Sequence, residues 1–137
     1  MKKIKTFFYL SITAILLSAS CKKAKVDPHV PPDVVFKTEA AYTSADKTVH
    51  KQDTILVGIT ATKTEDDLKS YNVSYYYDGG TSSTTFFDYK MADNEKTAYS
   101  KDIKIIARNV AGSEKWVFSI VDRDGNITQK TIVLTVN

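Results

Sequence analysis

The chain holds one cysteine, Cys21, within Leu16-Leu17-Ser18-Ala19-Ser20-Cys21-Lys22-Lys23. A cysteine thiolate is a nucleophile, so this position can take a covalent group. A lone cysteine excludes an intramolecular disulfide. Two further sets of residues have types suited to binding. Asp122, Asp124 and Asn126 alternate with Arg123 and Gly125, a rhythm of oxygen donors that suits a hard cation such as calcium. Aromatic residues crowd the middle of the chain, among them Tyr71, Tyr75, Tyr76, Tyr77, Phe87 and Tyr89. Such rings stack on sugars or anchor a protein partner. No spacing groups serine, histidine and acid as a triad, and short zinc or phosphate motifs are missing. The expectation is a protein that is not an enzyme and has no cofactor, with calcium as the one ion its acids could hold.

The elements around Cys21 explain its place. Met1-Lys2-Lys3-Ile4-Lys5 is a basic start, and Phe7 to Leu17 is an apolar run broken by Ser11 and Thr13. As a helix that run spans roughly 16 Å at about 1.5 Å per residue, against about 30 Å for a bilayer core. It is too short for a comfortable span and has the three-part plan of a secretory signal. Ser18-Ala19-Ser20-Cys21 resembles the lipobox of bacterial lipoprotein signals, with Ser18 where that family usually has leucine. The resemblance implies removal of residues 1–20, a thioether-linked diacylglycerol and an N-acyl chain on Cys21, and a stable membrane anchor. Ordinary cleavage after Ser20, leaving a free N-terminal cysteine, is the other reading. Lys22 stands where an aspartate would favour the inner membrane in that family. The resemblance therefore implies the outer membrane of the cell envelope, with its periplasmic and its surface face both open.

Residues 21–33 follow as the lipidated cysteine and a tether. All three prolines of the chain, Pro28, Pro31 and Pro32, lie here. Proline fixes φ and pushes its predecessor to extended backbone, so the segment reads as a semi-rigid spacer.

From residue 34 to 137 the hydrophobic period is two. Val34-Val35-Phe36 opens a first strand. Ile55/Val57/Ile59, Tyr71/Val73/Tyr75/Tyr77, Ile103/Ile105, Trp116/Phe118/Ile120 and Ile132/Leu134/Val136 each line one face of a strand, and Thr84 to Tyr89 forms another. Asp78-Gly79-Gly80, Ala111-Gly112-Ser113 and Asp122 to Asn126 turn the chain. Asp66-Asp67-Leu68-Lys69 is the one candidate for a helical turn. About seven short strands in some hundred residues predict an all-β, antiparallel sandwich. Asp67-Leu68-Lys69-Ser70-Tyr71, and Phe118 to Asn126 running into Thr131–Val136, resemble bacterial immunoglobulin-like domains of the PKD and cadherin-like kind. That resemblance covers residues 34–137 and implies a fold, not an activity. The antibody-type disulfide and the tryptophan of the central strand are both absent, and Trp116 sits in the penultimate strand.

In such a sandwich the loops around residues 65–67 and 122–126 lie at one end. Asp66 and Asp67 would then join Asp122, Asp124 and Asn126, with Asp93 and Glu95 nearby. Calcium is one reading of that end. A solvated end of mixed charge is the other, since Lys63, Lys69, Lys90, Lys96 and Arg123 are interspersed. Among the aromatics, strand phase places Tyr71, Tyr75 and Tyr77 mostly in the core and Tyr76 outward. Tyr76, Phe87 and Tyr89 are the candidate partner face.

Charge excludes one class. The chain has 19 basic and 16 acidic residues, but the segment from Asp33 onward has 13 basic and 15 acidic. The basic excess belongs to the N-terminal end, so nucleic acid is not an expected partner. The sequence points to a non-catalytic, lipid-anchored envelope protein that presents one immunoglobulin-like domain to an envelope protein or a glycan. A carbohydrate- or calcium-binding accessory module is the alternative, and a small enzyme the remote one.

Overall fold

Two sheets of unequal width pack face to face. The structure, a computed structural model, describes residues 28–137; Cys21, the leader and the first part of the tether lie outside the described residues. Among the described residues there are eight strands: β1 Asp33–Phe36, β2 Lys47–Val49, β3 Thr54–Thr62, β4 Leu68–Tyr77, β5 Thr84–Lys90, β6 Ala98–Ile106, β7 Gly112–Asp122 and β8 Ile127–Val136. They form a three-stranded sheet, β1-β3-β6, and a five-stranded sheet, β2-β8-β7-β4-β5. The pairing of the second, penultimate and last long strands in one sheet, against the strand before β4 in the other, matches immunoglobulin-like order. This is an all-β sandwich.

The expected all-β sandwich of about seven strands is present, with eight among the described residues, and three details differ. The strand count is eight, because Lys47–Val49 also pairs, and it runs parallel to Leu134–Val136, so the sandwich is not wholly antiparallel. Three residues with one apolar side chain give no period to detect in sequence. Asp66 ends a bend over residues 64–66 and Asp67 is irregular backbone, so no helical turn forms, and Leu68 already opens β4. The short helix lies instead at Asp93–Glu95, where Ala92 N–H donates to Glu95 Oε2 at 2.9 Å. β1 starts at Asp33, one residue before the expected domain start.

The core follows the period of two. Val57, Ile59, Val73, Phe118, Ile120 and Leu134 are fully buried between the sheets. Each such side chain contributes about 1.5–3 kcal/mol by leaving water. Trp116 is buried, as its strand phase predicts. Outside the small sheet, residues 37–46 fold back over Gly58. Lys37 N–H donates to the Gly58 carbonyl and Thr43 N–H to that of Leu56, both at 2.8 Å. A Cβ on Gly58 would sit within 2.8 Å of Lys37, Tyr42 and Asp102 side chains, so this close approach needs glycine.

Tyr71 is fully buried, and its hydroxyl has no hydrogen-bond partner among the described residues. Burial pushes its ionisation well above the ordinary tyrosine value. An unpaired buried hydroxyl costs about 1–3 kcal/mol. Tyr71→Phe should therefore raise stability by roughly 1 kcal/mol, and Tm by about 4 °C or more for a domain of this size. Calorimetric melts check this, and a lower Tm would mean the hydroxyl is satisfied.

Candidate functional site

Two ends of the sandwich gather the charged and aromatic side chains. At the end away from the tether, Glu114 lies in β7 two residues before Trp116 and so points inward with it. It is 0% exposed. Its Oε1 accepts from Arg108 N–H at 2.8 Å and its Oε2 from Trp116 Nε1 at 3.0 Å. The Arg108 guanidinium reaches Asp78 in a two-pronged pair, with Nη1 at 2.8 Å from Oδ2. Ser113 N–H also donates to Asp78 Oδ1 at 3.0 Å. These bonds hold Asp78 below the ordinary aspartate range, Arg108 first and the Ser113 amide second. The pair latches the β4–β5 turn to the β6–β7 connection. Gly112 makes the latch fit: its φ is +141°, and a Cβ there would run into the Arg108 guanidinium and the Asp78 carboxylate.

Around this latch lies an aromatic row. Tyr75 meets both Tyr77 and Trp116 at 4.9 Å with the rings tilted by 44° and 39°, and Phe86 meets Trp116 edge-on at 5.2 Å. The Arg108 guanidinium covers the Tyr77 ring at 4.7 Å. A register jump between Val73 and Ser74 makes a bulge opposite Phe86, so Phe86 and Phe87 both turn toward the inner face. Tyr77 is nonetheless 41% exposed and Phe86 47%.

The three expected partner residues do not share a face. Phe87 and Tyr89 sit on the inner side of β5, half-buried, stacked on each other at 6.2 Å. Tyr89 also stacks on Tyr99 at 5.6 Å, and its hydroxyl donates to Glu95 at 2.8 Å. Burial, with Glu95 and Tyr89 adding, pushes Tyr99 up to about 12. Tyr76 is on the outer side of the sheet, half-buried, with the Lys115 ammonium 5.9 Å from its ring centre. Tyr77, expected in the core, is the most exposed residue of the β4 tyrosines, because β4 runs past the edge of the three-stranded sheet. Arg108, Asp78 and Glu114 were missed by sequence reading. The available signal was Glu114 itself: a carboxylate in phase with Trp116 and Phe118 must be buried and needs donors.

The tether end brings the expected acids together, each with a partner. Asp66 pairs with Arg123, Asp67 with Lys63 at 2.8 Å, and Asp124 with Arg123 Nε at 2.9 Å. Lys63, more than Lys96 or Arg123, holds Asp67 below the ordinary aspartate range. Asp122 is buried and closes the hairpin turn: Asn126 N–H and Nδ2 donate to its two oxygens at 2.8 and 2.9 Å. Gly125, with φ of 93°, sits at the turn. Among the described residues no group of three His, Cys, Asp or Glu is arranged to hold a metal ion. His50 contacts Asp53 at the surface, at 3.5 Å.

The class this fold defines is the two-sheet β-sandwich. No family model and no curated protein matches the chain. Among solved structures it is similar to a Niemann-Pick type C2 protein from the Japanese carpenter ant, at 8% identity and a TM-score of 0.46, over 77% of this chain and 89% of that one. It is also similar to the sporulation control protein Spo0M of Bacillus subtilis, at 6% identity and a TM-score of 0.46, over 78% and 49% of the two chains. For murine CRIg the identity is 14% and the TM-score 0.39, over 79% and 99%. At these values none of the three bears on a site or an activity.

Two measurements test the latch. Gly112→Ala puts a side chain at a φ that costs about 1–3 kcal/mol and collides with the ion pair, so it should lower Tm and free Arg108 from Asp78 in NMR side-chain spectra. Acid should act through the depressed carboxylates. Asp78 and Asp102 have folded values below the ordinary 3.8, from Arg108 and Lys37 respectively. Their contribution is fully present above 3.8 and is lost as pH falls through the lower folded values. The acid-side drop in Tm should shrink in Asp78→Asn; an unchanged drop would remove the latch from the account.

Proposed function

We propose that the chain is a non-catalytic protein of the bacterial cell envelope, held by lipid on Cys21 at the outer membrane, that presents the far end of its β-sandwich to a protein partner. The observation that supports this is directional. The tether joins the sandwich at one end: Thr64 Oγ1 donates toward the carbonyls of Val30 and Pro31, at 3.1 and 2.9 Å, and Thr128 to that of Pro32. Tyr77, Phe86, Ile106 and Val110, among the most exposed large apolar side chains, lie toward the other end. A domain anchored through Cys21 would thus turn its aromatic end away from the lipid. Tyrosine, tryptophan and arginine together are the usual anchors of protein interfaces. With one face of the Tyr77 ring taken by Arg108, a protein surface fits this end better than a stacked sugar.

Cys21→Ala should move the protein from the membrane to the soluble fraction; retention in the membrane would sink the anchor. For the far end, a photo-crosslinking residue in place of Phe86 should give a discrete adduct in intact cells, and one in place of exposed Ile127 at the tether end should not. An adduct of heterogeneous mass that glycosidases collapse would point to a glycan instead. Equal labelling from both positions would leave the far end with no special role.

A further inference from the structure

The end that should be acidic carries a cationic cleft. Its volume is about 280 Å³, and Lys69, Lys90, Lys96 and Arg123 line it with Asp67, above Leu68 and Met91. Four elements supply these cations: β4, the end of β5, the residue after the short helix, and the β7–β8 turn. Backbone bonds fix their mutual positions. Met91 N–H donates to the Lys69 carbonyl at 2.9 Å, Leu68 N–H to that of Lys96 at 2.8 Å, and Arg123 N–H to that of Asp67 at 2.8 Å.

Ion pairs with nearby acids engage Lys96 and Arg123 but not the other two lysines. Asp67 is engaged by Lys63, Asp93 by Lys96 at 2.6 Å, and Asp66 and Asp124 by Arg123. Among the described residues Lys69 and Lys90 have no carboxylate partner. Two ammonium groups without an ion-pair partner, on neighbouring strands and beside the paired Lys96 and Arg123, suit one compact anion.

We propose that this cleft binds a phosphate group, and that the phosphate belongs to the headgroup of an anionic lipid. Position selects the source. The cleft lies at the end where Thr64 and Thr128 clamp the tether. Cys21 is seven residues before Pro28, a span of at most about 25 Å even when extended. A chain anchored there keeps the cleft within reach of the headgroups, and this choice of lipid over soluble phosphate rests on the anchor proposed above. Phosphate binding itself does not. Headgroup capture would orient the sandwich upright, with its aromatic end outward.

The test uses the full chain with Cys21→Ser, exported and purified without lipid. It is titrated with vesicles of phosphatidylglycerol and phosphatidylcholine in equal parts, with phosphatidylcholine vesicles, and with inorganic phosphate. Amide shifts at Lys69, Lys90 and Met91 report the cleft. The mixed vesicles should bind and shift these amides, and phosphatidylcholine alone should not. Lys69→Ala with Lys90→Ala should weaken binding by about fivefold per lysine and roughly 30-fold together. Lys51→Ala with Lys104→Ala, both exposed toward the far end, should change it little. Inorganic phosphate shifting the same amides as tightly as the vesicles keeps the phosphate site and overturns the lipid source. No shift at the cleft, or equal weakening by both lysine pairs, overturns the site. If wild-type chain proves unanchored while the vesicles still bind at the cleft, the anchor fails and the site stands.

Discussion

A sheet of three strands cannot cover a sheet of five, and much of this molecule answers that mismatch. The inner face of β8, β7 and β4 is roofed by β1, β3 and β6. β5 lies beyond the roof. Its inward side chains, Phe87 and Tyr89, are half-buried where a fully covered strand would bury them. Large rings are the economical cover for such a margin, because each removes 150–250 Å² from water and can still leave one edge wet. Tyr99 and Lys101 from the edge of the small sheet complete the cover, the first stacking on Tyr89 and the second lying 5.4 Å from the Phe87 ring centre. The bulge at Phe86 adds a third ring to the same margin. The exposed aromatics of the far end are therefore a structural consequence first. That they are also available to a partner follows from the same mismatch.

The two ends solve charge differently. At the far end a single arginine is shared among Asp78, the Glu114 region and the Tyr77 ring, and burial and hydrogen bonds fix its place. At the tether end short ion pairs engage Asp66, Asp67, Asp93 and Asp124 but not Lys69 or Lys90. Exposed pairs of this sort contribute little stability, typically below about 1 kcal/mol each. Their effect is local: they engage four of the carboxylates while Lys69 and Lys90 have no carboxylate partner among the described residues.

The period of two made the long strands legible, down to the inward phase of Trp116, Phe118 and Ile120. The turn at Asp122–Asn126 was legible because Asp-Gly between two such strands has few alternatives. The convergence of residues 66–67 with 122–124 was legible from topology, as the Arg123 bridge bears out. What escaped is non-local or off-period. β2 has three residues. The Phe86 bulge breaks the alternation that would place it, and only the pairing with β4 reveals it. Tyr77 has the phase of a core residue, but burial depends on where the opposite sheet ends, which no local pattern encodes. The acids of one end were visible as a count; which cations each would meet, and which lysines would remain, is decided by side chains from four separate elements.

β7 shows how the register of the whole stack is held. Its inward residues run Glu114, Trp116, Phe118, Ile120, Asp122: three apolar side chains between two buried carboxylates. Glu114 accepts from Trp116 Nε1 of its own strand and from Arg108 N–H, which the Asp78 pair ties to the end of β4; Asp122 accepts from Asn126 of its own hairpin. A slip of β7 by one residue against β4 would turn the apolar set to solvent. A slip by two would keep the apolar face inward but drag a carboxylate into the position of a core residue, and for Glu114 it would break the bond from Arg108 N–H. An unpaired buried charge of that kind costs several kcal/mol. An all-apolar strand would resist the first error and tolerate the second. The carboxylates at both ends penalise the second as well, and since β7 pairs with both β4 and β8, the penalty fixes the five-stranded sheet as a unit.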